Sequence, residues 1–392
     1  MTERLRLEML GPPPGAELQP LVSRLAGERR LHGMCQTTPR GVVVEVEGEP
    51  AQLDEFRAAL ERQRPAQAVV EAIERERFDR VVAPFRARNE PGAWHASTEA
   101  KPDLVLCESC RGELFDPNNR RYRYPFINCA HCGPRSSIVD RLPYTRANTS
   151  MRGFSMCHAC QREYHDPLDR RYHAEPNACP VCGPHVALWD AAGVVVAERN
   201  SALTAAANAI RAGRIMAVKS PGGFRLAVDA TDEAAVLRLR ARQHGDDTPF
   251  IVMCPDFEFV QMCARFGADE ARLLASIYAP IVLVDPRLDH PEALAPSVLG
   301  GSRQLGVMLP STPLQVLLMR DLRRPIALTS SPRPGELPCV DDREVVARFG
   351  GIADGFLVHN RPVLHPLHDS VVRVFGGAGS SASAAVDVSP VA

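Results

Sequence analysis

Two stretches of this chain repeat one another at a fixed offset of 50 residues: CESCRGELFDPNNRRYRYPFINCAHCGP from Cys107 to Pro134, and CHACQREYHDPLDRRYHAEPNACPVCGP from Cys157 to Pro184. Each is a C-x2-C-x18-C-x2-C unit, with Cys107, Cys110, Cys129 and Cys132 in the first and Cys157, Cys160, Cys179 and Cys182 in the second. The match runs beyond sulfur to Glu113/Glu163, Asp116-Pro117/Asp166-Pro167, Arg120-Arg121-Tyr122/Arg170-Arg171-Tyr172 and Gly133-Pro134/Gly183-Pro184, which marks a tandem duplication. A C-x-x-C turn points two thiolates at one centre, and two such turns close a tetrahedron around zinc with no open coordination position. These sites are therefore read as structural, with two zinc ions. Iron–sulfur ligation is the rival, and the plain ribbon-like spacing favours zinc. Whether each copy closes its own site or the pairs are shared between copies is left open by spacing alone.

The segment holding these cysteines, 101–190, has little apolar periodicity and cannot build a large core, so metal must supply much of its cohesion. The remaining cysteines, Cys35, Cys254, Cys263 and Cys339, stand alone in apolar or loop contexts and read as small buried thiols. Arg120, Arg121 and Arg123 could meet phosphate or RNA; local pairing or solvent exposure is the plainer reading.

The 392 residues predict several domains, and a net charge of -1 argues against a bulk nucleic-acid coat. No run of apolar residues is long enough to span a membrane, and MTERLRLEML lacks a secretory pattern. With paired cysteines in such a chain, a cytoplasmic location is expected.

Residues 1–80 alternate strand and helix patterns. LRLEML and GVVVEVEG read as strands, Leu18, Leu21, Val22 and Leu25 as one helix face, Leu53, Phe56 and Leu60 as another, and 67–77 as a last strand. The order is βαββαβ, a ferredoxin-like split sheet with its helices on one side. Residues 81–100 read as a connector. From 198 to 375 helices and strands alternate as in an α/β domain, with strands at RIMAVK, PFIVMC, PIVLVD, LGVML, PIALTS and FLVH. Residues 376–392 read as a disordered tail.

Taken in order, the βαββαβ region, the fingers with NRRYRYPFINCAHCGPRSSI and DRRYHAEPNACPVCGP, and then GRIMAVKSPGGFRLAVDATDEAAV and LGVMLPSTPLQVLL resemble the hydrogenase-maturation carbamoyltransferase family, HypF. The resemblance covers about 1–375. It implies an α+β multidomain fold with an acylphosphatase-like domain, tandem four-cysteine zinc fingers and a YrdC-like α/β domain. It also implies a pathway in which carbamoyl phosphate is broken to carbamate and joined to ATP as carbamoyl-adenylate. The carbamoyl group then passes to a terminal cysteine of a HypE partner, on the way to the cyanide ligands of nickel–iron hydrogenase. The family's transfer domain has no counterpart in this sequence.

The chain departs from the family pattern at sites of chemistry. Where the acylphosphatase-like loop carries an Arg, this chain has Gln19 after a Pro-rich stretch; Thr37 stands at the place of an Asn that orients water. Proline cannot offer a backbone N–H to a phosphate, and losing the site's cation forfeits transition-state electrostatics, so no phosphatase activity is expected. In the YrdC-like part, Gln243, Gly245 and Thr248 replace expected basic residues. Lys219, the Gly222-Gly223 turn, Arg225, Thr329, Ser330 and Ser331 remain as nucleotide contacts, with Lys219 otherwise a surface lysine. His365 and His368 read as exposed loop residues. Two further functions stand beside ATP-dependent carbamoyl activation: a catalytically impaired zinc-stabilised accessory that binds HypE or a full-length relative, and RNA binding, the weakest.

Overall fold

The computed structural model describes residues 3–10, 18–38, 41–64, 68–77, 86–88, 102–166, 169–243, 247–287, 290, 293–329, 338–375 and 385–390. Its backbone divides into two compact units: Met1–Asp103 with Ile127–Gly183, and Leu104–Phe126 with Pro184–Ala392.

In the first unit, β1 (Glu3–Leu10), α1 (Leu18–Glu28), β2 (His32–Thr38), β3 (Gly41–Gly48), α2 (Pro50–Gln63) and β4 (Val69–Arg77) follow the expected βαββαβ order. The sheet runs β4-β1-β3-β2, antiparallel throughout, with Leu5, Leu7 and Met9 opposite Val46, Val44 and Val42. Period-two alternation thus puts one face of β1 and β3 into the core. Leu18, Leu21, Val22 and Leu25 of α1 and Leu53, Phe56 and Leu60 of α2 complete that core. Proline at the first position of α2 needs no N–H partner, and the Gln52 side chain accepts from the Glu49 N–H at 3.1 Å, which closes the helix start. The segment read as a connector holds one more strand, β5 (Arg86–Arg88), parallel to β2. Three residues of RAR carry no apolar alternation, so only the exposed edge of β2 defines them.

The duplicated segment repeats its backbone as well as its sequence. Helices α3 (Glu108–Phe115) and α4 (His158–His165) start from Cys107 and Cys157. The Arg123 N–H donates to Leu114 O at 2.9 Å, and the His173 N–H to Tyr164 O at 3.1 Å; both residues hold left-handed backbone, φ 53° and 49°. Arg121 and Arg171, also one offset apart, are buried.

The second unit is built on one mixed sheet. After β6 (Val186–Asp190), β7 (Val195–Glu198) and α5 (Arg199–Arg211) come β8 (Met216–Ser220), β9 (Gly223–Asp229), α6 (Glu233–Arg242) and β10 (Ile251–Met253). Then follow α7 (Phe257–Cys263), β11 (Ala264–Arg265), α8 (Ala268–Leu274), β12 (Ile281–Pro286), β13 (Leu305–Met308), α9 (Pro313–Leu322), β14 (Ile326–Thr329), α10 (Asp342–Phe349), β15 (Gly355–His359), β16 (Ser370–Phe375) and β17 (Ala385–Pro390). The strand order is β17-β16-β12-β13-β10-β14-β9-β8-β15-β6-β7, with β11 beside β12. All expected strands from RIMAVK to FLVH are present. The core joins Phe224, Leu226 and Val228 of β9 to Val252, Val282, Val307, Ala327 and Phe356 on neighbouring strands. α9 carries a reciprocal cap: Thr312 Oγ1 accepts from Gln315 N at 3.3 Å, and Gln315 Oε1 accepts from Thr312 N at 3.0 Å. Part of the stretch read as a disordered tail is ordered, because β17 pairs antiparallel with β16. AVDVSP alternates apolar and polar residues, but so short a run is stable only on a partner strand. Cys35, Cys254, Cys263 and Cys339 are buried, as the sequence reading holds.

Candidate metal centres and nucleotide edge

The eight paired cysteines gather by copy. The sulfurs of Cys107, Cys110, Cys129 and Cys132 form one group, and those of Cys157, Cys160, Cys179 and Cys182 the other, with all sulfurs of a group within 4.8 Å. The pairs are not shared between copies. Individual separations are 3.8 Å for Cys129–Cys132, 3.8 Å for Cys157–Cys179, 3.7 Å for Cys179–Cys182 and 3.6 Å for Cys160–Cys182. A disulfide would hold sulfurs at about 2.05 Å. Four thiolates about 2.3 Å from one zinc ion have tetrahedral edges of about 3.8 Å, which is the spacing found. An iron–sulfur cluster would spread the thiolates over separate irons and force them farther apart. The donor set and its spacing therefore suit zinc.

Around the second site, buried polar groups are tied together. The Asn177 amide donates to Cys160 O at 3.0 Å, and Tyr164 Oη donates to Glu175 Oε2 at 2.8 Å, where the Arg146 N–H also converges. Burial pushes the Glu175 carboxyl up to about 7, against the pull of Tyr164 and Arg146. These supports were not legible as ligand neighbours in the sequence.

Of the residues read as nucleotide contacts, Lys219, Gly222, Gly223, Arg225 and Thr329 lie at one edge of the second sheet. β8 and β15 run parallel and end there at Ser220 and His359; β9, antiparallel to both β8 and β14, begins there at Gly223, and β14 ends there at Thr329. Carboxyl ends of parallel strands commonly face ligands in α/β sheets. Gln243 follows α6 at the same edge, and its Nε2 donates to Thr329 Oγ1 at 3.4 Å. Thr248 is exposed, and its carbonyl accepts from Arg240 Nη1 at 3.1 Å. Gly245, Ser330 and Ser331 lie outside the described residues, as do the side chains of Gln19 and Thr37.

Lys219 is not the surface lysine of the plainer reading. It is buried, and its Nζ donates to Asp342 Oδ1 at 2.6 Å and to His359 O at 3.2 Å, 5.7 Å from the Phe224 ring centre. Burial raises the Asp342 carboxyl pKa, opposed by the hydrogen bond from Lys219. Arg225 pairs with Asp369. The two glycines serve backbone packing: a Cβ on Gly222 would come 2.5 Å from Leu367 O, and one on Gly223, at φ +97°, would come 2.6 Å from Cys339 O. The close approach is thus to the chain's own backbone.

Sequence reasoning missed His359, Arg361 and Phe126. Burial, with Lys219 and Arg361 nearby, holds the His359 imidazole neutral, and its Nδ1 has no partner among the described residues. The Phe126 ring meets His359 edge-on at 5.3 Å and lies 5.1 Å below the Arg361 guanidinium. The only advance signal was NRP directly after the strand FLVH. The arginines of α6 turn into the fold: Arg240 donates to Ser297 O at 2.7 Å and stacks 4.3 Å over Phe250, while Arg242 pairs with Asp354 at 2.7 Å. Among the finger arginines, Arg121 is fully buried, and Arg123 forms a two-bond pair with Asp321, Nη1–Oδ1 3.0 Å and Nη2–Oδ2 2.6 Å. Arg123 therefore neither pairs locally nor lies in solvent. His365 and His368 are exposed.

No helix among the described residues is long and apolar enough to cross a membrane. Three family models match in chain order: acylphosphatase over 15–83, HypF finger over 106–139 and 156–189, and the model described as telomere recombination, of the Sua5/YciO/YrdC group, over 208–381. The carbamoyltransferase HypF of Synechocystis sp. is 42% identical over 379 residues, which cover 96% of this chain and 49% of that protein. The crystal structure of HypF from T. kodakarensis is similar at TM-score 0.85 and 34% identity, over 95% of this chain and 48% of that one. A full-length HypF solved in a phosphate- and nucleotide-bound form is similar at TM-score 0.76 and 37% identity, over 95% of this chain and 48% of that one. The chain spans about half the length of these relatives. With its acylphosphatase-like, double-finger and YrdC-like regions in that order, it belongs to the HypF carbamoyltransferase family.

Proposed function

We propose that the chain serves nickel–iron hydrogenase maturation, in the ATP-dependent activation of carbamoyl phosphate that precedes transfer to a HypE-like cysteine and cyanide-ligand synthesis. In this reading two zinc ions hold the 101–190 region. The 198–375 region binds nucleotide at the edge formed by Lys219, Gly222, Gly223, Arg225 and Thr329, with Ser330 and Ser331. The observation that carries it is the convergence of Lys219, Gly222, Gly223, Arg225 and Thr329 at the ends of β8, β9 and β14, in a chain whose relative was solved with nucleotide and phosphate bound. The 1–80 region, with Gln19 and Thr37 in place of Arg and Asn, contributes no phosphatase step.

A second reading has its own observation. Lys219 and Arg225 are each neutralised by a carboxylate, and α6 sends Arg240 and Arg242 inward, so the edge offers a triphosphate little uncompensated charge. That favours an accessory that binds a maturation partner without turnover. ATP–pyrophosphate exchange by the zinc-loaded chain, with carbamoyl phosphate or carbamate supplied, separates the two. Exchange above an enzyme-free blank supports activation; absence of exchange counts against it and favours the accessory.

A further inference from the structure

A cleft of about 230 Å³ lies between α3, the turn entering α7, and α9, all in the second unit. Arg111 projects from α3, and Arg320 and Arg323 stand at the end of α9. Other cations of this unit, such as Lys219, Arg123, Arg242 and Arg324, have carboxylate partners. Among the described residues the three guanidiniums at the cleft have no ion-pair or hydrogen-bond partner. Arg320 Cζ lies 5.8 Å from the Phe115 ring centre, within cation–π range, which leaves its N–H groups available.

Solvated surface charge would explain each arginine singly. It does not explain three of them rimming a concavity walled by Phe115 and Phe259. Volume narrows the occupant. Sites for whole small molecules run to about 300–1,000 Å³; this cleft is smaller and suits one large side chain of a protein partner, the kind of pocket in which interface anchors seat. Charge narrows it further. Arginine forks bind carboxylates with two parallel bonds. Asp256 and Glu258, both on the α7 side of the same cleft, would repel a continuous phosphate backbone yet tolerate a peptide whose carboxylates lie on the side of the three arginines.

We infer that this cleft docks an acidic segment of a partner protein, which seats one aromatic or leucine-like side chain between Phe115 and Phe259 and gives its carboxylates to Arg111, Arg320 and Arg323. The site is separate from the nucleotide edge, so it stands whether or not ATP is turned over.

The test uses the full zinc-loaded chain and an array of short synthetic peptides. Each carries one Phe, Leu or Trp flanked by Asp and Glu, with a matched version bearing Lys in place of the acids. A labelled uridine oligomer is titrated in parallel. Acidic peptides should bind in preference to their basic matches, and Arg111→Ala, Arg320→Ala or Arg323→Ala should weaken them about tenfold each while both metal ions are retained. The double reversal Arg320→Glu/Arg323→Glu should shift preference toward the Lys peptides, which a merely structural role would not do. No preference for acidic peptides, unchanged binding in the arginine variants, or tighter binding of the uridine oligomer lost through the same substitutions would each overturn the inference.

Discussion

Lys219 on β8 and Asp342, the first residue of α10, form an ion pair of 2.6 Å in which the lysine side chain is only 4% exposed. The pair joins a sheet end to a helix start across more than a hundred residues of sequence. Removing one partner strands the other. Asp342→Asn, which leaves the buried ammonium without its counter-ion, is expected to cost about 3–5 kcal/mol, and Lys219→Met/Asp342→Asn to recover much of it. Hydrogen exchange of the β8 and β15 amides reads the loss in this unit. A double variant as unstable as Asp342→Asn would show that the pairing is not what matters.

The glycine turn gives a second expectation. Gly223→Ala must place a Cβ 2.6 Å from Cys339 O while keeping φ near +97°, so it should lose on the order of 1–3 kcal/mol. Gly112 in α3 has no atom within 4 Å of its would-be Cβ. Gly112→Ala should therefore gain about 0.5–1 kcal/mol from helix propensity. Thermal unfolding of the zinc-loaded variants checks both signs.

Arg123 and Asp321 present two parallel hydrogen bonds in a half-buried setting, and left-handed backbone aims the arginine. Arg123→Lys keeps the charge but loses the fork, and is expected to cost about 1 kcal/mol or more. Arg123→Ala/Asp321→Ala should cost less than the sum of the single substitutions. An additive cycle would argue that the pair contributes nothing.

Glu175 supplies a pH dependence with a definite sign. Its carboxyl, ordinarily near 4.5, is raised to about 7 by burial. Between those values the folded protein holds a proton that the unfolded chain has released. Its contribution is therefore fully present below 4.5 and is lost as pH rises through about 7. Glu175→Gln should remove this fall. Proton competition for the thiolates acts in the opposite direction, so the measurement is the difference in melting temperature between wild type and Glu175→Gln across that range. A constant difference would contradict the assignment.

Much of the architecture was legible because it rests on local pattern. The faces of Leu18, Leu21, Val22 and Leu25 and of Leu53, Phe56 and Leu60 follow helical spacing, and the cysteine copies announce themselves by a shared offset. That offset also carried information about Arg121 and Arg171: arginines repeated in step with metal ligands are both buried, not poised for RNA. β5 and β17 escaped because each is defined by the strand it joins. The partners of Lys219, Arg123 and Arg225 escaped for a related reason. Asp342, Asp321 and Asp369 are brought near by topology, and no periodicity links them to their cations.

The central claim is that the edge bearing Lys219, Arg225 and Thr329 is a nucleotide site on a zinc-braced chain. Calorimetric titration of ATP into protein verified to carry both metal ions tests it most directly. The account predicts saturable binding that Lys219→Met and Arg225→Met weaken by about tenfold or more with metal content unchanged. Absence of binding, or binding indifferent to both substitutions, would contradict it.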